Sequence, residues 1–424
     1  MLSNTDLKIF FKNLKDQPLE PDNPFYVNYL EENPNAPDPI KELQNNIILN
    51  DDTNYSVGLI SGQRGNGKST ELYRLQNLLE QDDYVVLFCD MQNYMNLHFP
   101  VEITDFLISI MLALTEAVKS KYGKDFKYRS YTERLKDIFT RTQIQLGDID
   151  FTGDGDTPFK LALRQDPTIK KRLQTNLRGH VTYVVQQAHE FSQDIVKFIR
   201  QYDDKEIVLL VDSVEQIRGV GGNAKEVHES IRDLFSNHSD KLCLQNFHII
   251  YTVPPYLPAL SSVRSLDATI MRSIDNIHVF QRDNTIDPKG VAIMRDIIQR
   301  RFPNWQQIFS EEQLRDMILA TGGDLRDFFR LIRAVLVKID INLLPVKDNI
   351  IISAKNDLRR SMLPIPKDDM EWLRRISESK QSELQTIDDL PRLARFFDNN
   401  LVQNYRNGDD WYDIHPLLKD VINN

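Results

Sequence analysis

The sequence predicts an α/β core with a parallel sheet, followed by an all-helical region and a small C-terminal module. Residues 55–62 and 84–91 are apolar runs of strand length on either side of a glycine-rich loop and a helical stretch, which gives a strand–helix–strand unit. Further apolar runs end near Asp212 and Thr252, and such continuous runs are typical of parallel strands buried on both faces. Between residues 288 and 340 the apolar spacing is helical throughout.

Composition indicates a globular protein and excludes several functional classes. With 424 residues, 41% hydrophobic and 27% charged, two or three domains are expected. Cys89 and Cys243 are too few for a disulfide framework and the eight histidines show no ligand spacing, so we expect a cytoplasmic protein without a histidine metal site. No run reaches the roughly 18 apolar residues of a membrane span. The net charge of −10 argues against a protein that coats nucleic acid, although a local basic patch stays open.

Changes in composition and periodicity predict the domain boundaries. The expected segments are an N-terminal strap at 1–50, an α/β core at 51–285 with a helical insertion at about 123–180, a helical lid at 286–345 and a C-terminal module at 346–424. Within them we expect a long amphipathic helix at about 168–201 and a last short strand at 276–280. Two β-prone runs on either side of Asn407-Gly408 predict a hairpin, and helices followed by a hairpin predict a winged helix.

The glycine-rich loop carries the strongest functional signal. It matches the pattern G-x-x-x-x-G-K-[ST] with Gly62, Gln63, Arg64, Gly65, Asn66, Gly67, Lys68 and Ser69, followed by Thr70. Its glycines allow backbone N–H groups to face phosphate oxygens, and the following helix N-terminus favours anions. Lys68 would reach the β- and γ-phosphates, and the Ser69 hydroxyl would bind Mg²⁺. The sequence therefore predicts ATP and Mg²⁺ as cofactors.

A loop of this kind needs a carboxylate near the metal, at the end of a buried strand. Asp212 ends the most apolar strand of the chain and is the expected second Mg²⁺ ligand. The alternative is that Asp212 caps a following helix.

In this order the motifs resemble an AAA+ ATPase, near the origin-recognition-complex-like and STAND signalling branches. The resemblance covers roughly residues 38–340 and is carried by GQRGNGKST, LLVDSVE, IIYTVPP and TGGDLRDFF. It implies a P-loop core of AAA+ type, a helical lid and an ATP-hydrolysing enzyme.

The resemblance also implies roles for three further residues. Thr252 would sense the γ-phosphate and position water, and Arg326 would contact the nucleotide from the lid. Arg272 would be the arginine finger supplied by a neighbouring subunit, with Arg264 as second choice; a surface Arg without a role is the alternative. Locally, an Arg in the first turn of a helix opposes the helix dipole, which favours an anionic partner for Arg326; a solvated side chain is the alternative.

One position departs from the AAA+ pattern. Ser213 stands directly after Asp212, where most members carry the Glu that activates water. Glu215 could take this role if the chain turns back after the strand, or it could begin a helix. ATP binding is therefore expected more firmly than rapid hydrolysis, and nucleotide as a purely structural cofactor stays open.

Basic residues of the C-terminal module bear on DNA binding. Residues 368–424 carry twelve acidic and seven basic side chains, a net charge of −5, which is unfavourable for phosphate contacts. Arg392, Arg395 and Arg406 could form a small basic edge, but a protein-docking module is favoured. A second basic stretch at 164–178 is expected to be a solvated helix face, with a nucleic-acid or partner contact as the alternative.

Two functional hypotheses remain. In the first, ATP binding drives assembly of a homo-oligomer that recruits or controls a protein effector, in signalling or antiviral defence. The chain shows no nuclease, protease, TIR or deaminase signature, so the effector is expected to be encoded separately. In the second, the protein is a DNA-engaging ATPase of replication or transposition type that uses the winged helix.

Overall fold

The computed structural model describes most of the chain, in ranges separated by short gaps. They are residues 2–31, 37–50, 55–123, 131–141, 156–219, 221–257, 269–382, 384, 386–407 and 409–423. The chain forms two compact units. We call the one containing Ile40–Ser61 and Arg74–Ser273 the sheet unit. The loop unit contains Met1–Pro39, Gly62–Tyr73 and Ile274–Asn424.

The sheet unit is built on five strands. They are β1 (Ser56–Ser61), β2 (Val85–Asp90), β3 (Ile207–Asp212), β4 (His248–Val253) and β5 (Thr269–Ser273). Their order is β2-β3-β4-β1-β5 and every neighbouring pair is parallel. All residues of β1, β3 and β4 are buried, which explains their continuous apolar sequences. The predicted α/β fold with a parallel P-loop core is confirmed.

Helices accompany the sheet. They are α2 (Pro39–Leu49), α3 (Lys68–Gln81), α4 (Ile103–Tyr122), α5 (Tyr131–Arg141), α6 (Asp156–Gln165), α7 (Pro167–Leu177), α8 (Val181–Ile199) and α9 (Ala224–Ser236). The boundary between the two units falls within α3. α4 is buried continuously from Ile103 to Thr115, so this helix has no solvent face over that length. No helix of the described residues is long and apolar enough to cross a membrane.

The single helix predicted at 168–201 is wrong. α7 and α8 are separated by a 3₁₀ turn at Arg178–His180, where Gly179 weakens helical structure. The basic stretch that contains this turn is also partly paired. Lys170 is only 3% exposed, with its Nζ 3.3 Å from Asp105 Oδ2, and Arg178 forms two hydrogen bonds to Glu102. Both acidic partners lie at the start of α4, so these two cations attach the predicted insertion to α4.

The loop unit is mainly helical. Its helices are α1 (Asn4–Asn13), α10 (Pro288–Arg301), α11 (Glu311–Ala320), α12 (Leu325–Lys338), α13 (Asp348–Arg360), α14 (Lys367–Ser379), α15 (Leu390–Asp398) and α16 (Lys419–Asn423). One hydrophobic core joins α1 to α10–α13. Within this core the Phe10 and Phe302 rings are stacked, with centroids 4.6 Å apart. The helices predicted between 288 and 340 are confirmed.

The strand predicted at 276–280 is also wrong, because the fifth strand of the sheet is Thr269–Ser273. Backbone N–H groups of this segment bond to distant parts of the loop unit and not to the five-stranded sheet. Asn276 donates to Asn404 O (3.2 Å) and Ile277 donates to Gly323 O (3.3 Å). Phe280 forms one isolated bridge, to Ile286.

Within the predicted C-terminal module, residues 367–423 contain the predicted helices and hairpin. Strands β6 (Val402–Asn407) and β7 (Asp409–Ile414) pair antiparallel. Gly408 of the predicted turn lies outside the described residues. Tyr405 and Trp411 stack across the hairpin with ring centroids 4.3 Å apart. The assignment of these elements to a winged helix stays a prediction.

Candidate nucleotide-binding site

The backbone of the predicted phosphate loop depends on its three glycines. Gly62, Gly65 and Gly67 have φ values of 151°, 100° and 84°, which disfavour any residue with a Cβ. A Cβ at Gly62 would lie 2.4 Å from Ile274 O, and one at Gly65 would lie 2.5 Å from Arg326 Cβ. A Cβ at Gly67 would meet no atom within 4 Å. Packing therefore restricts the first two positions, while the loop is open at the third.

Lys68 is the first residue of α3 and is 3% exposed. Its Nζ donates to the carbonyl oxygens of Gly62 (2.9 Å) and Gln63 (2.6 Å). The ammonium group is thus held over the loop, at the positive end of a helix dipole. Ser69 is half-buried in the same first turn. A charged donor at a helix N-terminus with open space at Gly67 suits a polyphosphate chain.

Arg326 lies against the phosphate loop. It is the second residue of α12, which Asp324 caps by accepting a hydrogen bond from the backbone N–H of Asp327 (2.7 Å). The close approach of Arg326 to Gly65 explains why a Cβ is excluded there. The Arg326 Nε donates to Asp16 Oδ2 of the N-terminal segment, and the Arg side chain is 17% exposed. The sequence pattern anticipated an anionic partner for Arg326 but not this carboxylate, which is 310 residues away in the chain.

The N-terminal segment runs along the same loop. The backbone N–H of Leu19 donates to Thr70 Oγ1 (3.0 Å), and the Tyr29 hydroxyl donates to Asn66 O (3.0 Å). The Thr70 hydroxyl is therefore engaged by protein. No local pattern in the sequence signals these contacts, because the partners are 37 and 51 residues apart.

The C-terminal module also reaches the phosphate loop. Gln63 is 2% exposed, and its Nε2 donates to Val402 O and to Asn400 Oδ1. The loop side chain at the second position of the motif is therefore held by the turn that leads into β6.

In the sheet unit, Asp212 and Glu215 occupy the end of β3 and the turn that follows. Asp212 is buried, and its Oδ1 accepts from the backbone N–H of Ser213 (2.7 Å). Ser213 has φ 70°, which reverses the chain into a 3₁₀ turn at Val214–Gln216. Glu215 is half-buried within that turn. The chain therefore turns back after the strand, and Glu215 does not begin an α-helix.

Thr252 lies one residue before the end of β4 and is fully buried. Its Oγ1 accepts a hydrogen bond from the backbone N–H of Val214 (3.0 Å) and lies 3.5 Å from Val211 O, to which it donates. Thr252 consequently fixes the turn that carries Glu215.

Arg272 does not lie before the fifth strand, as the sequence suggested, but within β5. Its guanidinium forms two hydrogen bonds with Glu42 of α2, Nε to Oε2 at 2.6 Å and Nη2 to Oε1 at 3.0 Å. The side chain is therefore committed to an ion pair within its own chain. Arg264, the second candidate, lies outside the described residues.

The basic edge proposed on the C-terminal module is partly neutralised by ion pairs. Arg392 and Arg395 both bond to Asp369, whose side chain is 4% exposed. Arg406 Nε lies 3.7 Å from Asp410 Oδ1. These pairs leave little net positive charge along this edge.

The start of α12 carries a carboxyl group with an unusual proton affinity. Burial, and then the charge of Asp327, raise the pKa of Asp324 from 3.8 to about 7. Burial alone would also raise the pKa of Asp327, but the His415 ring 3.6 Å away and a hydrogen bond from Asn400 lower it below its ordinary value. One acid of the pair thus favours the neutral form and the other the charged form.

Replacing Asp324 with asparagine should stabilise the protein at neutral and higher pH. Asparagine keeps the cap and resembles the neutral acid. The pKa of Asp324 is higher in the folded protein than in the unfolded chain, so ionisation of this acid destabilises the fold. The loss of stability is absent below about pH 4, grows between about pH 4 and 7, and is complete above pH 7. We expect the variant to gain roughly 1–3 kcal/mol at pH 8 and much less at pH 5, as measured by urea unfolding. Asp166→Asn, at the cap of α7, is the control, and an equal gain at both pH values would contradict the prediction.

Two predicted Mg²⁺ ligands, one in each unit, have side chains of a suitable chemical type. Ser69 and Asp212 offer hydroxyl and carboxylate oxygens, the ligand types that Mg²⁺ prefers. In the part of the chain that the structure describes, no group of three or more His, Cys, Asp or Glu side chains is arranged to hold a metal by itself.

Comparisons with known proteins give likeness in fold at low identity. The chain is similar to the ORC2 protein of Aeropyrum pernix, at 11% identity and a TM-score of 0.42, over 95% of this chain and 96% of that one. It is also similar to a Walker-type ATPase of Pyrococcus abyssi, at 13% identity and a TM-score of 0.38, over 97% of this chain and 100% of that one. The chain is similar as well to Cdc6p from Pyrobaculum aerophilum, at 13% identity and a TM-score of 0.36, over 96% of this chain and 98% of that one. No protein-family model and no curated sequence matches the chain.

Proposed function

We propose that this protein binds ATP with Mg²⁺ and hydrolyses it slowly, as a regulatory ATPase of the AAA+ type. The observation that carries the proposal is the phosphate loop, in which three glycines with positive φ precede Lys68 at the start of α3, and Arg326 lies over Gly65. Lys68 next to the open position Gly67, Arg326 against Gly65 and the N-terminus of α3 together suit an anion.

Three residues of the loop unit have distinct roles in this proposal. Lys68 exchanges its hydrogen bonds to the Gly62 and Gln63 carbonyls for oxygens of the β- and γ-phosphates. Arg326 leaves Asp16 and compensates the charge of the terminal phosphate. Ser69 offers its hydroxyl to Mg²⁺.

In the sheet unit, Asp212 is the proposed carboxylate partner of Mg²⁺. Glu215 is the proposed base that accepts a proton from the attacking water, and Thr252 keeps its turn in place. ATP itself supplies the phosphoanhydride bond that is broken. Since Ser213 stands where most AAA+ enzymes carry their catalytic Glu, slow turnover is expected.

Nucleotide-dependent self-assembly, which then recruits or controls a separately encoded effector, is the proposed output. The resemblance to AAA+ proteins supports it by implying an arginine finger in trans. Arg272 could serve as that finger only after release from Glu42, which would link finger exposure to a rearrangement of α2. A role in signalling or antiviral defence is the biological setting we propose.

A DNA-engaging ATPase is the second candidate, suggested by the order of elements in the C-terminal module. The ion pairs of Arg392 and Arg395 with Asp369 weigh against it, because cations that are already paired are less able to neutralise phosphates and displace the counterions condensed on DNA.

Light scattering in solution tests the proposed function. We expect ATP–Mg²⁺ to raise the mass of the wild-type protein at least twofold and to leave Lys68→Ala unchanged. Repeating the measurement with duplex DNA at ~150 mM salt separates the second candidate. If the mass does not change with ATP but increases with DNA, the assembly proposal is contradicted and the DNA-engaging ATPase is favoured.

A further inference from the structure

Asn400 contacts two parts of the proposed nucleotide site with one side chain. It lies in the turn between α15 and β6, is half-buried and has φ 54°, a conformation that asparagine tolerates well. Its Oδ1 accepts from Gln63 Nε2 of the phosphate loop (3.3 Å), and its Nδ2 donates to Asp327 Oδ2 of α12 (2.7 Å). The same amide group therefore bridges the phosphate loop and the helix that carries Arg326.

The contact with Gln63 bears on Lys68. The Gln63 side chain is buried and also donates to Val402 O, so two acceptors of the C-terminal module hold it. The backbone carbonyl of Gln63 in turn accepts from Lys68 Nζ at 2.6 Å. A shift of the Gln63 side chain would displace the peptide group that orients the lysine.

The contact with Asp327 bears on Arg326. Asp327 follows Arg326 directly in the first turn of α12, and its side chain is buried. Asn400, His415 and Arg330 surround its carboxylate, which compensates a buried negative charge. Because this carboxylate is fixed, the first turn of α12 is fixed, and with it the direction in which Arg326 leaves the helix.

Strand β6 holds the residues just before α12 as well. The Tyr405 hydroxyl donates to Gly322 O (2.7 Å), and Gln403 Nε2 donates to Thr321 O (2.9 Å). A Cβ at Gly322 would lie 2.1 Å from Gln403 Oε1, so the turn and the hairpin are closely packed. The C-terminal module therefore contacts the phosphate loop and also the residues before and within the first turn of α12, which carries Arg326.

We propose that Asn400 is a positioning residue of the nucleotide site, which keeps the phosphate loop and Arg326 in register for the terminal phosphate. The state of the C-terminal module thereby sets the affinity for ATP. This inference rests on the proposed ATP binding. Asn400 itself touches no nucleotide and acts through Gln63 and Asp327.

Two substitutions at this position separate the contacts. Asn400→Gly removes both hydrogen bonds and retains the backbone conformation. Asn400→Asp keeps the acceptor for Gln63 but places a second carboxylate against Asp327, where His415, Arg330 and Asp324 are the other ionisable neighbours. ATP and ADP affinities are measured by calorimetry, together with the thermal midpoint of the nucleotide-free protein.

We expect Asn400→Gly to weaken ATP binding ~10-fold and ADP binding less, because Arg326 acts on the terminal phosphate. Asn400→Asp should weaken ATP binding further, since like charges meet in a buried site. In a double-mutant cycle, Gln63→Ala and Asn400→Gly should lose less than the sum of their separate effects. Asn246→Gly is the matched control, since Asn246 also has positive φ (63°) and one side-chain hydrogen bond, to Gln193.

The outcomes distinguish the inference from the proposed function. If the wild type binds neither nucleotide, the proposed function fails. If it binds both, and the Asn400 variants bind them equally well, the positioning role is overturned. Equal losses for ATP and ADP with a lowered thermal midpoint, or strictly additive effects in the cycle, would also overturn it in favour of a merely structural contact.

Discussion

Lys68→Ala should lower ATP affinity by at least about 100-fold, which corresponds to roughly 2.7 kcal/mol. The variant loses the charge-assisted hydrogen bonds that the ammonium group would form with phosphate oxygens, and no other described residue of α3's first turn carries a positive charge. Titration with a fluorescent ATP analogue measures the loss directly. Thermal unfolding gives a second measure, because ATP at 1,000 times the wild-type dissociation constant stabilises the wild type by about 4 kcal/mol and should stabilise a variant with 100-fold weaker binding by only about 1.4 kcal/mol.

The control for this prediction is Lys171→Ala, which removes an exposed lysine of α7. It should bind ATP as the wild type does. The assignment of the phosphate loop would be contradicted if Lys68→Ala kept its ATP affinity while remaining folded, as judged by its circular dichroism and unfolding midpoint.

Asp212→Asn should reduce ATP turnover at least about 100-fold while changing ATP affinity much less, because a metal-binding carboxylate acts mainly on the charge that develops during phosphoryl transfer. Steady-state phosphate release measures it. Asp90→Asn is a matched control, since Asp90 ends the adjacent strand β2 directly opposite Asp212 and caps the turn that follows. We expect this control to retain turnover within about threefold of the wild type.

Glu215→Gln extends the test to the proposed base. Loss of turnover in both Asp212→Asn and Glu215→Gln, with ATP binding kept, would support hydrolysis by these two carboxylates. Turnover that survives in Glu215→Gln would assign the base elsewhere. A wild type that binds ATP without any turnover would make the nucleotide a structural cofactor.

Local sequence patterns predicted the parts of this protein that depend on neighbours in the chain. The strands near Asp212 and Thr252 are uniformly apolar, and the loop from Gly62 to Ser69 combines a motif with the correct flanking elements. The start of α12 was predictable for the same reason, since Asp324 and the preceding glycines end one helix and begin the next.

Contacts between distant residues account for what the sequence did not predict. The segment 276–280 has β propensity, yet its N–H groups bond to Gly323 and Asn404. The pairing of Arg326 with Asp16 spans 310 residues and that of Gln63 with Asn400 spans 337, so neither leaves a periodic signal. Arg272 was misplaced because the fifth strand begins earlier than its sequence suggested.

The loop unit consists of three separate segments of the chain, and this limits the order in which a newly made chain can fold. Every strand of the sheet unit has left the ribosome once residue 273 is exposed, so this unit can fold during synthesis. Phe10 and Gly62, made earlier, must wait for partners between residues 274 and 424. Gln63 finds its acceptors only after Val402 is translated. The phosphate loop therefore reaches its final geometry among the last events of folding, and a nascent chain should gain its affinity for ATP only when its C-terminal hairpin has been made.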